Sequence, residues 1–357
     1  MTWLSDETVS RLRAAGVAPD LSGTRYRLVE RLGRGGMGTV YLAEDALLER
    51  RVALKVLDLP DSTGELAERL LREARILAHL EHPGIVPVHD VGTLADGRVF
   101  YTMKYVEGQR LDRYLARLES IPDRLRLFQR ICEPVAFAHS RAVLHRDLKP
   151  ENIMVGLFGE VLVMDWGVAK ILRTPSEESR ASPEQASSSS RNQIAASPRP
   201  SSETSHGAVL GTPGYMAPEQ ARGEIARLDQ RADIFSLGAI LVFLLTGRQP
   251  EEIARVQEPD GHSPRLELVA SDSGERIARP LAAIGAKSMS ADPAARYGKA
   301  EELEADVARY LDGLPVTAYP EGILERLTRR STKYRVAIAL VLTYLLVRVL
   351  ILFFLRR

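Results

Sequence analysis

The segment His145-Arg146-Asp147-Leu148-Lys149-Pro150-Glu151-Asn152, followed by Asp165-Trp166-Gly167, decides how the rest of the chain is read. It sets a carboxylate, a lysine, an amide and a second carboxylate within one short stretch. Asp147 can accept or orient a hydroxyl proton, and Lys149 can neutralise phosphate charge. Asn152 and Asp165 offer hard oxygen ligands to a divalent cation. The combination suits phosphoryl transfer from a nucleoside triphosphate, where catalysis is mostly positioning and charge neutralisation.

Working outward, Gly33-Arg34-Gly35-Gly36-Met37-Gly38 fits G-x-G-x-x-G, with Val40 two residues on. Dinucleotide-binding turns share that pattern but open a helix. Here Thr39-Val40-Tyr41-Leu42 reads as a returning strand, so a hairpin over phosphates is expected. Glycines at Gly33, Gly35 and Gly38 would let backbone N–H groups approach without Cβ clashes. Val52-Ala53-Leu54-Lys55 matches the V-A-I-K strand motif. A glutamate on the next helix should pair with Lys55; Glu65 and Glu68 fall early in that helix, and Glu73 is favoured. Downstream, Gly211-Thr212-Pro213-Gly214-Tyr215-Met216-Ala217-Pro218-Glu219 contains A-P-E, the mark of a substrate-docking loop.

In this order and spacing the motifs resemble the Hanks-type (eukaryotic-like) serine/threonine protein kinases, in what looks like a bacterial, membrane-anchored form. The resemblance covers roughly Tyr26 to Gly313. It implies an α+β, two-lobed fold, with a β-rich N-lobe over 26–106 and a helical C-lobe over 107–313. It further implies ATP and Mg2+ (or Mn2+) as cofactors and Ser/Thr hydroxyls of proteins as acceptors. Asp147 and Lys149 would be catalytic, and Asn152 and Asp165 would hold the metal. ATP would lie against the loop Gly33, Arg34, Gly35, Gly36, Met37 and Gly38, with Val40, Ala53, Lys55, Glu73 and Met154. Met103 would be the gatekeeper, with adenine paired to the main chain of Lys104 and Val106. Lys104 stands where glutamate is usual, which main-chain pairing should tolerate.

Other positions carry implied roles. Thr212 with Lys149 points to Ser/Thr rather than Tyr acceptors. Glu219 would pair with Arg296, and Asp233 would brace the catalytic loop. His145 would pack in a hydrophobic spine with Trp166, which replaces the usual Phe, beside Leu77 and Val88. Arg146 would bind a phosphate on the activation segment. That segment holds a Ser/Pro-rich insert over 174–206, whose composition cannot bury enough apolar surface to offset ordering. Autophosphorylation of serines or threonines between Thr174 and Thr212, read through Arg146, is expected. A nucleotide-binding pseudokinase would have lost Lys55, Asp147, Asn152 or Asp165, and none is lost. A small-molecule phosphotransferase would lack the A-P-E loop.

Secondary structure reads as strands over Tyr26–Arg34, Gly38–Glu44, Arg51–Leu57, Ile85–Val91 and Arg98–Val106, interrupted by a helix over Ser62–Leu80. That helix carries Leu66, Leu70, Ala74 and Leu77 on one face. Helices are expected over Pro122–Arg141, Gln230–Thr246, Ile277–Ser290 and Ala300–Leu311. Cys132 lies among Phe128, Ile131 and Val135 at helical spacing and reads as core. A single cysteine excludes an intramolecular disulfide. Forty-eight basic against 47 acidic residues give a net charge of +1, so nucleic acid is not an implied partner. A homodimer is also among the expected partners.

The two ends differ. Residues 1–25 form an N-terminal extension without the features of a secretory signal. Residues 314–335 form a basic segment, and Val336–Leu355 is a 20-residue apolar run of membrane-spanning length. Arg348 interrupts it at a cost of roughly +2.5 to +3.5 kcal/mol, against about −0.3 to −0.6 for each of about fifteen large apolar residues. Arg348 also lies past the midpoint and can snorkel. A buried or interfacial helix should show a polar face, and this run shows almost none. Arg326, Arg329, Arg330, Lys333 and Arg335 precede it, so the positive-inside rule predicts a single-pass cell-membrane protein with a cytoplasmic kinase domain and the C-terminus outside.

Overall fold

A computed structural model describes residues 18–35, 38–58, 64–167, 169–171, 214–224, 227–250, 276–320, 322, 340, 343–348 and 351. Gly36, Met37, Thr212 and the 174–206 insert lie outside the described residues, as does most of 336–355.

The first half is an antiparallel sheet. Its strands are β1 (Tyr26–Gly35), β2 (Gly38–Asp45), β3 (Arg50–Val56), β4 (Val88–Thr93) and β5 (Val99–Lys104), ordered β1-β2-β3-β5-β4. The expected strand over Ile85–Val91 joins the ladder only at Val88. Pro87 cannot donate to it, and Ile85 instead forms an isolated bridge to Val163. Gly38 is required by close approach, because a Cβ there would overlap the Val56 carbonyl. Residues 18–25 make a turn that seats Leu21 in the sheet's second core with Tyr26 and Phe100.

Helix α1 (Glu65–His79) crosses the sheet between β3 and β4. Gly64, with φ 78°, allows the sharp entry. Leu70, Ala74, Ile76 and Leu77 face the core, whereas Leu66 in the first turn stays exposed. The link from α1 to β4 rests on the second lobe: Val163 N–H donates to the Gly84 carbonyl at 2.8 Å. A Cβ on Gly84 would come within 3.0 Å of the Pro134 ring. The end of α1 is therefore tied to the strand that leads into Asp165.

The second half is mainly helical. In chain order it holds β6 (Gly108–Arg110), α2 (Leu111–Tyr114), α3 (Ile121–Ser140), β7 (Val143–Leu144), β8 (Ile153–Gly156), β9 (Val161–Val163) and β10 (Lys170–Ile171). The helices α4 (Pro218–Ala221), α5 (Arg231–Thr246), α6 (Arg279–Ser288) and α7 (Ala300–Leu311) follow. Helix α5 is buried from Ala232 to Thr246 and runs through the lobe's centre, packing against α3 and α6. A helix apolar all round needs such burial. It stops at Gly247, whose φ of 71° caps the C-terminus. Helix α6 starts at Arg279 rather than Ile277, with proline in its first turn as helices favour. Cys132 is fully buried in α3 beside Phe128, Ile131 and Val135.

The chain stays on this lobe beyond α7. Val316 is buried and Ala318 and Tyr319 pack against the core. Asp306 of α7 accepts from Thr317 N–H (2.8 Å), Thr317 Oγ1 (2.7 Å), Ala318 N–H (3.0 Å) and Tyr297 OH (2.8 Å). Among the described residues no helix is long and apolar enough to cross a membrane. Within the expected span, residues 343–348 are helical, and Tyr344, Leu345, Leu346 and Val347 are exposed.

Candidate active site

The site lies where the loop after β7 meets the hairpin of β8 and β9. In that hairpin Ile153 pairs with Val163, and Met164 N–H donates to the Asn152 carbonyl at 2.7 Å. That register brings Asn152 beside the turn carrying Asp165. Asn152 Nδ2 donates to the Asp147 main-chain carbonyl at 2.8 Å and to its carboxylate at 3.1 Å. Lys149 Nζ lies 2.9 Å from the same Asp147 oxygen. With its amide nitrogen turned to Asp147, Asn152 offers Oδ1 to a cation.

Arg146 and Asp165 both adopt left-handed backbone, with φ of 68° and 57°. Such conformations are costly for residues with a side chain and persist where the surroundings hold them. Arg146 is held from both sides. Its N–H donates to Asp233 Oδ1 at 2.8 Å, and its carbonyl accepts from Gln220 Nε2 at 2.6 Å. Asp233 also accepts from His145 N–H (2.9 Å) and the His139 ring (2.8 Å). Burial pushes the Asp233 carboxyl up, but the His139 hydrogen bond, the neighbouring His139 and His145 rings and the Arg146 N–H outweigh it, and the net direction is downward. The carboxylate thus braces the loop from inside the core.

His145 is buried, its ring centroid 4.6 Å from that of Trp166, and its Nε2 lies 2.9 Å from the Met164 carbonyl. Trp166 is fully buried and donates its indole N–H to the Val163 carbonyl at 3.3 Å. Leu77 shares its core cluster, and half-buried Val88 packs against the same cluster.

Across the cleft, β3 carries Lys55, whose Nζ contacts both Glu73 oxygens at 2.8 and 2.9 Å and Asp165 Oδ1 at 3.4 Å. Glu73, rather than Glu65 or Glu68, is therefore the helix carboxylate at Lys55. Burial lowers the Lys55 ammonium's pKa, but Glu73 and Asp165 raise it further, so the net shift is upward and the lysine stays charged. Asp165 shifts down for the reciprocal reason: burial raises it, and Lys55, His145 and Lys149 lower it more. Two hard oxygen donors, Asn152 and a firmly ionised Asp165, fit Mg2+, which takes few protein ligands and completes its shell with water and phosphate.

The residues expected around adenine gather on one apolar wall. Ala53, opposite Met103 in the ladder, is buried with Met103 and Val106. Val40 and Met154 pack against the same cluster. Lys104 is exposed, and its N–H donates to the Pro87 carbonyl at 3.1 Å. Arg34 is turned away to Asp58, Nε to Oδ2 at 2.7 Å, and the same carboxylate accepts from Thr39. Gly33 and Gly35 frame the hairpin, pairing with Val40 and Gly38. Glu219, next to Gln220, forms a buried two-pronged ion pair with Arg296 at 2.7 and 2.8 Å.

Four participants escape a motif reading. His139 and Gln220 brace the catalytic loop, Tyr101 OH donates to Glu73 Oε1 at 2.8 Å, and Asp58 anchors the glycine hairpin. Strand alternation would have flagged Tyr101, two residues before Met103 and on its face. The other three depend on tertiary contacts with no local signal.

The protein kinase domain family matches residues 26–303. The serine/threonine-protein kinase PknD of Protochlamydia amoebophila is 38% identical over 309 residues, spanning 81% of this chain and 30% of that protein. PknD of Chlamydia muridarum is 37% identical over 326 residues, spanning 87% of this chain and 34% of its own length. The chain thus spans about a third of the length of the curated relatives it matches. The crystal structure of the Mycobacterium tuberculosis PknI kinase domain superposes with a TM-score of 0.54 at 25% identity, covering 82% of this chain and 99% of that one. A family match over most of the chain, on a two-lobed fold with this cleft, places the chain in the protein kinase family.

Proposed function

We propose that the chain transfers the γ-phosphoryl group of ATP to serine and threonine hydroxyls of proteins. The observation that carries the reading is the convergence of Lys55–Glu73, Asp165, Asn152 and the Asp147–Lys149 pair on one cleft. Asp147 orients the acceptor hydroxyl and takes its proton, and Lys149 beside it neutralises charge on the transferring group. Lys55, fixed by Glu73, meets the nucleotide's phosphates. Mg2+ held by Asn152 and Asp165 would screen the phosphate oxygens. The names of the PknD relatives, with Lys149 and Thr212, support Ser/Thr acceptors.

Incubating the full chain with labelled ATP and Mg2+, wild type beside Asp147→Asn, tests this directly. Label in the wild type alone is expected; equal label in both, or none in either, overturns the enzymatic reading. We also infer autophosphorylation within 174–212, sensed by Arg146, which phosphopeptide mapping of ATP-treated protein would reveal or refute.

The membrane assignment rests on the apolar run 336–355 and the basic residues before it, with the lobes on the cytoplasmic side. The exposed apolar side chains of 344–347 support it, since such surface is covered by lipid or protein. A chain ending at Arg335 should leave the membrane fraction; retention there would show another tether.

A further inference from the structure

Tyr101 lies directly across the β3–β5 ladder from Lys55. Residues opposite one another in an antiparallel pair present their side chains on the same face, so the register alone puts this phenol beside the ammonium. The ring centroid is 5.9 Å from Nζ. The hydroxyl reaches on to Glu73 Oε1 at 2.8 Å, the oxygen that also accepts from Lys55 at 2.8 Å. Tyr101 is 1% exposed and Glu73 2% exposed. Burial, and then Glu73, push the phenol well above its ordinary range, so it acts as a donor.

Helix α1 presents Glu73 and can hold it at Lys55 only while docked on the sheet. If α1 withdrew, the Tyr101 hydroxyl would be left buried without its acceptor. A hydrogen bond to a charged group biases such an equilibrium about tenfold or more. We propose that Tyr101 is a positioning residue: bonding Glu73 from β5, it keeps the Lys55–Glu73 pair closed before nucleotide binds. The inference rests on the phosphoryl-transfer reading, in which Lys55 meets ATP. It also separates two forms of control, because the cleft is then pre-assembled on the α1 side and regulation falls to the segment beyond Asp165.

The test is Tyr101→Phe in the full chain, which keeps the ring and deletes the hydroxyl. When the competent state is only partly populated, apparent affinity falls by that fraction, and saturating ligand restores it. KM for MgATP should therefore rise about tenfold while kcat stays within about twofold. In a Glu73→Leu background, which leaves no acceptor for the phenol, read by binding of a fluorescent ATP analogue, adding Tyr101→Phe should change affinity less than about twofold. Tyr297→Phe, which deletes another buried phenol–carboxylate bond remote from the cleft, should lower the unfolding midpoint and leave KM unchanged. An unaltered KM in Tyr101→Phe overturns the proposal. So does an equal loss of affinity with and without Glu73, or an equal rise in KM from Tyr297→Phe. A wild-type chain that neither binds ATP nor transfers phosphate sinks the kinase reading and this inference with it.

Discussion

Glu73 and Asp233 are both buried carboxylates, one in each lobe, and they are held in opposite ways. Asp233 accepts from two main-chain N–H groups of one loop and from the His139 ring. Main-chain donors cannot leave without the loop itself moving. Glu73 rides on a separate helix and accepts from side chains, Lys55 of β3 and Tyr101 of β5. Such donors come from other elements, so the contact lasts only while the helix stays docked on the sheet. The difference separates scaffold from machinery: in the helical lobe, polar burial specifies one arrangement, whereas in the cleft it assembles groups that can rearrange as phosphate and metal arrive.

The Glu219–Arg296 pair is the strongest test of the scaffold side. Arg296 is buried, and beyond Glu219 it donates to the carbonyls of Arg231 and Ser290 at 2.9 and 2.8 Å. Arg296→Met should cost about 3–5 kcal/mol, because it strands a buried carboxylate. Urea unfolding would read this, and the remaining folded protein should keep its KM for ATP. A small stability loss with a large change in KM would erase the distinction.

Asp165→Asn should behave in the opposite way. Asn tolerates left-handed backbone, so the φ of 57° carries little added strain. The lost charge weakens a metal ligand and removes the anionic neighbour of Lys55. Phosphoryl transfer should fall roughly 10²–10³-fold, the size seen when one preorganised charge-stabilising group is deleted. The unfolding midpoint should stay within about 2 °C, since a half-exposed ion pair contributes under about 1 kcal/mol.

Asp233 gives the comparison a pH axis. Its carboxyl is lowered in the folded chain from an ordinary 3.8. A depressed native value means the charged form is favoured by folding, so its stabilisation is full above that ordinary value. It is lost as pH falls through the native value. Asp233→Asn should lower stability at pH 7 by about 1.5–3 kcal/mol, the worth of hydrogen bonds to a charged group. Its stability should also fall less steeply than wild type below about pH 4. A parallel acid limb in both proteins would remove Asp233 as a source of the brace.

Much of this was legible in the sequence for physical reasons that are local. Hairpin register, the alternation that exposes Lys55 to the cleft and the spacing from Asp147 to Asn152 are short-range facts. Helices α3, α5 and α7 begin and end near their expected bounds because periodicity and Gly247 mark them. What was not legible depends on contacts distant in sequence. Pro87 delayed β4, and Arg34, which resembled a phosphate-loop residue, is claimed by Asp58 from the end of β3. His139 reaches Asp233 across 94 residues. Val316–Tyr319, read as the start of a basic linker, continues the folded lobe because Asp306 collects its donors.

That last contact gives the smallest expected effect and bounds the scaffold side from below. Asp306 has four donors, two of them main-chain N–H groups, so losing one hydroxyl should leave the segment docked. Thr317→Val keeps the shape and deletes the 2.7 Å bond from Oγ1. One hydrogen bond is worth about 0.5–1.5 kcal/mol, which in a domain of this size moves the unfolding midpoint about 2–4 °C per kcal/mol. The Thr317 and Ala318 amides should exchange faster while those of His145 and Arg146 keep their protection, since Asp306 and Asp233 serve different segments. Faster exchange at all four amides would mean that the two carboxylates brace one cooperative unit, and the tail beyond α7 would then be coupled to the catalytic loop.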